Sequence, residues 1–107
     1  MGKRIELSGL SGRTYDFAVL ADAAVVPPQA ANVVVAERKR GRWRVLYLSQ
    51  TDYLPRKDWA EPLERIRAKT RHVELLYRLN IAHAVREAEA EDIRLLHQPP
   101  GDAADAD

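Results

Sequence analysis

Arg4-Ile5-Glu6-Leu7-Ser8 and Thr14-Tyr15-Asp16-Phe17-Ala18-Val19 alternate polar and apolar positions, with the apolar residues at odd numbers, around the turn-forming stretch Gly9-Leu10-Ser11-Gly12. A period of two puts alternate side chains on one sheet face, so these segments predict a β-hairpin with one buried face. Residues 20–31 are Ala-rich and contain Pro27-Pro28, which blocks helix and central strand alike; they read as a covering loop. Val33-Val34-Val35-Ala36 is the continuous run expected of a strand covered on both faces. Glu37 to Arg42 reads as a charged hairpin tip containing Gly41, with Trp43-Arg44-Val45-Leu46-Tyr47-Leu48 as the returning strand.

Asp58-Trp59-Ala60-Glu61 has capping-box spacing, and Pro62 falls in the first turn, where its missing N–H does little harm. Trp59, Leu63, Ile66 and Thr70 follow the 3.6 period and predict a helix over 58–70. Val73, Leu75, Tyr77 and Leu79 alternate as a fifth strand. Asn80 then suits an N-cap for a helix with Ile81, Ala84, Val85, Ala88 and Leu95 on one face, ended by Pro99-Pro100-Gly101. The order β-β, β-β, α, β, α predicts an α+β domain with a small, mostly antiparallel sheet. A chain of 107 residues suits one domain, over 1–100, with 101–107 expected as a disordered acidic tail.

Composition narrows the chemistry. Without cysteine there is no disulfide framework, thiolate nucleophile or Cys-ligated metal site. No apolar signal region or run of membrane-spanning length occurs, so a cytoplasmic protein without a membrane partner is expected. The net charge of +1 hides an asymmetry: 15 basic and 9 acidic residues precede Leu79, and 2 basic and 7 acidic follow from it onward. A basic body admits an anionic partner.

The densest cationic stretch is Arg38-Lys39-Arg40-Gly41-Arg42-Trp43-Arg44. Such a tip can grip a phosphate backbone and stack a base on Trp43. The plain alternative is a solvated turn whose Trp points inward. Arg65, Arg67, Lys69 and Arg71 form a second basic set in and just past the first helix. Glu87, Glu89, Glu91 and Asp92 form an acidic set on the last helix, and each set also reads as solvated surface. Paired carboxylates of this kind can hold Mg²⁺. Asp92 is the odd member, because its helical angle falls within the apolar stripe. His72, His83 and His97 share no metal-ligand spacing, and no Gly-rich phosphate loop precedes a helix.

The order of these segments carries a resemblance. Two adjacent strands, the second followed by Thr51-Asp52-Tyr53-Leu54-Pro55-Arg56-Lys57, then helix, strand and a helix ending in Pro99-Pro100, resemble the GIY-YIG nuclease domain. The likeness is greatest to small stand-alone bacterial members that begin with a hairpin of the type Ser11-Gly12-Arg13-Thr14-Tyr15-Asp16-Phe17. The resemblance implies an N-terminal hairpin plus a three-stranded core, flanked by two or more helices. It also implies a metal-dependent endonuclease ancestry. In the family, two strand tyrosines, a helix arginine and a metal-binding glutamate surround the scissile phosphate.

Carried over position by position, the first tyrosine falls on Val34 and the second on Tyr47. The glycine that follows the second falls on Ser49, the arginine on Lys57 beside Arg56, and the glutamate on Ala90 between Glu89 and Glu91. The family's asparagine after the prolines has no counterpart. Tyr47 and Lys57 are therefore the retained catalytic candidates. Lysine keeps a charge but not the planar fork that grips phosphate in two places. The expectation is a catalytically degenerate domain, a pseudoenzyme, persisting as a binding module for DNA or a protein. Arg38, Lys39, Arg40, Arg42, Arg44 and Arg56 are its nucleic-acid candidates, and no cofactor is expected. The alternatives are a residual nuclease, using Mg²⁺ held by a shifted carboxylate at Glu89 or Glu91, and a structural subunit. For Tyr47 a role as plain core aromatic also stands.

Overall fold

The computed structural model of the chain describes residues 4–21 and 25–100, so the expected acidic tail lies outside the described residues. The first two alternating segments form β1 (Arg4–Ser8) and β2 (Thr14–Val19). Ile5 pairs with Phe17 and Leu7 with Tyr15, and all four side chains are buried, as the odd-position alternation requires.

The valine run lies in β3 (Ala31–Lys39), which pairs with β4 (Arg42–Thr51) on one side and β5 (Val73–Leu79) on the other. Both faces of β3 are covered: Val34 and Ala36 belong to one apolar cluster, Val33 and Val35 to the other. β5 also pairs with β2, through Ala18↔Tyr77 and Val19↔Leu76. The hairpin and the three-stranded core are thus one antiparallel sheet, in the order β1-β2-β5-β3-β4.

Two helices cover its faces. α1 (Ala60–Arg67) lies against β5, with Trp59 and Leu63 in a cluster that includes Val33, Val35, Tyr47, Leu54 and Leu75. Leu20 and Val26, from the segment expected as a covering loop, join this cluster. α2 (His83–His97) lies on the opposite face, where Ala90 and Ile93 pack with Val34, Leu48, Leu76 and Phe17. The sheet curls so that its two edge strands, β1 and β4, both reach α2.

Three local expectations change. The strand after the tip runs on to Thr51, and its pairing slips between Val35↔Tyr47 and Ala36↔Val45. Leu46 is therefore the extra residue of a β-bulge, and the alternation resets there. Val45 faces α2 and Tyr47 faces α1, although both numbers are odd. The capping box at Asp58 does not form: α1 begins at Ala60, and the Asp58 carboxylate instead accepts from the Thr51 hydroxyl at 3.2 Å and pairs with Arg56 at 3.7 Å.

Third, α2 turns its other side inward. Arg86, Ala90 and Ile93 are buried, whereas Ile81, just before the helix, is 83% exposed, Val85 42% and Leu95 49%. Asn80 accepts from the Ala82 backbone N–H at 2.9 Å instead of capping the helix directly. No helix among the described residues is long and apolar enough to cross a membrane.

Candidate functional site

The β3–β4 tip turns through Arg40 and Gly41, both at positive φ (54° and 76°), the backbone a two-residue hairpin turn demands. Glycine adopts it freely; Arg40 does so at some cost, which the flanking pairs Lys39↔Arg42 and Arg38↔Trp43 hold in place. β5 pairs with β3 only as far as Glu37, so the tip projects past its neighbour.

Pleating divides the tip's cations between two faces. Arg38 and Trp43 share the α2 side, while Lys39, Arg42 and Arg44 share the other. Arg38, Lys39, Arg40, Arg42 and Arg44 are all exposed. None of the five has a carboxylate within ion-pair distance among the described residues. Cross-strand Glu37↔Arg44 is the nearest approach to compensation in the pairing register.

Trp43 is half-buried against the α2-side core, and the Arg38 guanidinium lies 5.8 Å from its ring centroid. The inward alternative is the one observed for this side chain, which packs partly on the core and has the Arg38 guanidinium beside its ring. A shallow depression runs beside the tip, lined by Lys39, Arg40, Arg42, Trp43 and Arg44 together with Leu96 and His97 from the end of α2.

Arg56 belongs elsewhere. It follows the far end of β4, separated from the tip by a ten-residue strand, about 30 Å long, and it pairs with Asp52 at 3.0 Å. Lys57 is beside it, exposed, at positive φ (58°) after the 3-10 turn Leu54–Arg56. It lines the mouth of a cleft with Trp59, Glu64 and Arg67. Tyr47 is buried in the α1-side cluster that floors this region. Tyr47 and Lys57 therefore share a face of the sheet.

The acidic set lies on the other face. Ala90 points into the core between α2 and the sheet, so a longer side chain there would meet packed apolar residues. Glu89 receives the Arg78 guanidinium at 2.8 and 3.3 Å, and that pairing holds the arginine charged beyond its ordinary range. Arg78 also lies 5.5 Å from the Tyr15 ring centroid. Glu91 is exposed and paired with Arg94 at 3.1 Å. Among the described residues no group of three His, Asp or Glu side chains gathers at metal-binding distance.

Asp92 has a structural job. Its carboxylate accepts from the Ser11 backbone N–H at 2.9 Å, the Ser11 hydroxyl at 2.6 Å and the Tyr15 hydroxyl at 2.7 Å. The Ser11 hydroxyl, then the Tyr15 hydroxyl, then the Ser11 N–H hold this carboxyl below the usual carboxylate range. The same bond, with burial, pushes the Tyr15 phenol up. The β1–β2 turn is thereby latched onto α2. Its place in the apolar stripe was the one sequence signal for this.

Sequence reasoning missed a second polar node. Arg86 is 3% exposed and donates to the Gln50 carbonyl oxygen (3.3 Å) and the Asn80 backbone carbonyl (2.9 Å), with His83 Nδ1 at 3.3 Å. No carboxylate pairs with it among the described residues. Asn32 beside it donates to the Arg86 carbonyl at 3.0 Å. No pattern in the sequence marks an arginine on an inward helix position.

No protein-family model, curated protein or solved structure matches the chain.

Proposed function

We propose that the protein is a binding module for the phosphate backbone of a nucleic acid, built on a GIY-YIG-like scaffold that lacks the catalytic set. The observation that carries this reading is the β3–β4 tip: five cations within seven residues, exposed on both ribbon faces and, among the described residues, with no carboxylate at ion-pair distance. Like charges held together repel one another, and a polyanion relieves that repulsion while releasing its own counterions. With Trp43 half-buried on the core and Arg38 beside its ring, phosphates are the main ligand and base stacking contributes less. Arg56, at the opposite end of β4 and already paired, is outside this site.

Fluorescence anisotropy with a labelled DNA oligonucleotide at low ionic strength tests the reading. Replacing Arg40, Arg42 and Arg44 by glutamine lowers affinity by about tenfold or more, while Arg56→Gln leaves it nearly unchanged. Absence of binding by the unmodified chain overturns the proposal.

A residual nuclease would need Tyr47, Lys57 and a carboxylate from 89–92 around one phosphate. The sheet lies between the first two and the last, which supports binding over hydrolysis. Plasmid cleavage with Mg²⁺ or Mn²⁺ that vanishes in Tyr47→Phe would favour the nuclease instead.

A further inference from the structure

We infer that the ligand is double-stranded DNA, with the β3–β4 tip seated in its major groove and Lys69 and Arg71 on the phosphates of a bounding strand. The inference rests on the tip being the phosphate-binding surface, and adds the class of nucleic acid and a second contact. Glu37 is the last β3 residue paired with β5, and three residues then lead to the turn at Arg40. The ribbon therefore extends about 10 Å past the end of β5. The major groove of B-form DNA is about 8.5 Å deep and about 12 Å wide, and it admits a two-stranded β-ribbon. An RNA duplex closes its major groove to side chains, and a single strand has no groove.

The placement of charge points the same way. Arg38 lies on the α2 side of the ribbon, and Lys39, Arg42 and Arg44 lie on the other. A strand laid along one face leaves the cations of the other face without a partner. A groove is bounded by a phosphate chain on each side, and so engages both faces. The second contact comes from the base of the ribbon. The Arg38 backbone N–H donates to the His72 carbonyl at 3.1 Å, and His72, at positive φ (59°), turns the chain into β5. Arg71 thus adjoins the β3 edge of the ribbon, and Lys69 is two residues further back, about 7 Å of chain. Both are exposed, and neither has a carboxylate at ion-pair distance among the described residues. Cations at the base of an inserted ribbon meet the rim of the groove, where the phosphates run.

The test measures anisotropy of the full chain at low KCl with three labelled probes of one sequence: a DNA duplex, its single strand and the corresponding RNA duplex. A fourth probe is the DNA duplex with glucosylated 5-hydroxymethylcytosine, whose sugars occupy the major groove. The unmodified chain should bind the plain DNA duplex about tenfold or more tightly than the other three. Lys69→Gln/Arg71→Gln should weaken duplex binding and flatten its slope of log K against log salt by about two. Arg56→Gln/Lys57→Gln removes the same charge at the far end of β4 and should leave both unchanged. Equal affinity for the four probes, or a Lys69/Arg71 effect no larger than that of Arg56/Lys57, overturns the inference. The tip remains the phosphate-binding surface in that case if Arg40→Gln/Arg42→Gln/Arg44→Gln still weakens binding. A tip variant that binds every probe as tightly as the unmodified chain overturns both.

Discussion

Asp92 and Gly9 are fitted to each other. A Cβ at Gly9 would occupy the space of the Asp92 carboxylate, so Gly9 is required by close approach and not by an unusual backbone angle. Gly9→Ala should cost about 1–3 kcal/mol, as overpacking does, read as a shift in urea midpoint. Protonation tests the latch separately. A carboxyl held low in the folded state stabilises the fold above its unfolded value, about 4. That contribution is lost as pH falls through the lower folded value. Asp92→Asn should therefore lose stability at neutral pH, and the gap to the unmodified chain should narrow below about pH 4. A gap that stays constant with pH would mean the carboxylate's charge plays no part. Asp92 was legible as an anomaly, a carboxylate inside an apolar stripe. Its partners, 77 and 81 residues away in sequence, were not.

At the scale of elements, alternation located β1, β2 and β5, because a strand with one buried face must repeat every two residues, and the continuous valine run located β3, which is covered on both faces. The same rule does not assign Tyr47 a face. One bulge residue, Leu46, shifts everything after it by one, and nothing in the run of apolar residues from Val45 to Leu48 marks where the slip falls. For α2 the count of apolar residues pointed to the wrong side. The stripe through Ile81, Val85 and Leu95 is the more hydrophobic, yet the helix buries Arg86, Ala90 and Ile93, about 100° per residue around the axis from it. Tertiary fit decided: alanine and isoleucine fill the narrow space beneath the curl, and Gln50, Asn80 and His83 satisfy the arginine. Thermal or urea unfolding distinguishes the two faces. Ile93→Ala should cost about 2–4 kcal/mol, while Val85→Ser should fall within about 0.5 kcal/mol of the unmodified chain. Equal costs would contradict the observed packing.

Across the whole molecule, charge and architecture divide the same way. The tip's cations gather at one end of the β3–β4 ribbon, and Arg56 and Lys57 lie at the other. The carboxylates of α2 lie across the sheet from Tyr47. The basic cluster was legible because its residues are adjacent in sequence, and adjacency survives folding. The separation of Arg56 from that cluster, and of Tyr47 from residues 89–92, depended on strand length, face and curl, which no local pattern encodes. The salt dependence of DNA affinity tests phosphate binding at the tip. Each phosphate neutralised contributes about −0.9 to the slope of log K against log salt for a duplex. The unmodified chain should show a steep negative slope. Neutralising Arg40, Arg42 and Arg44 should flatten it by about two to three, and neutralising Arg56 and Lys57 should leave it unchanged. A slope insensitive to the tip, or affinity indifferent to salt, would mean that the tip is not the phosphate-binding surface.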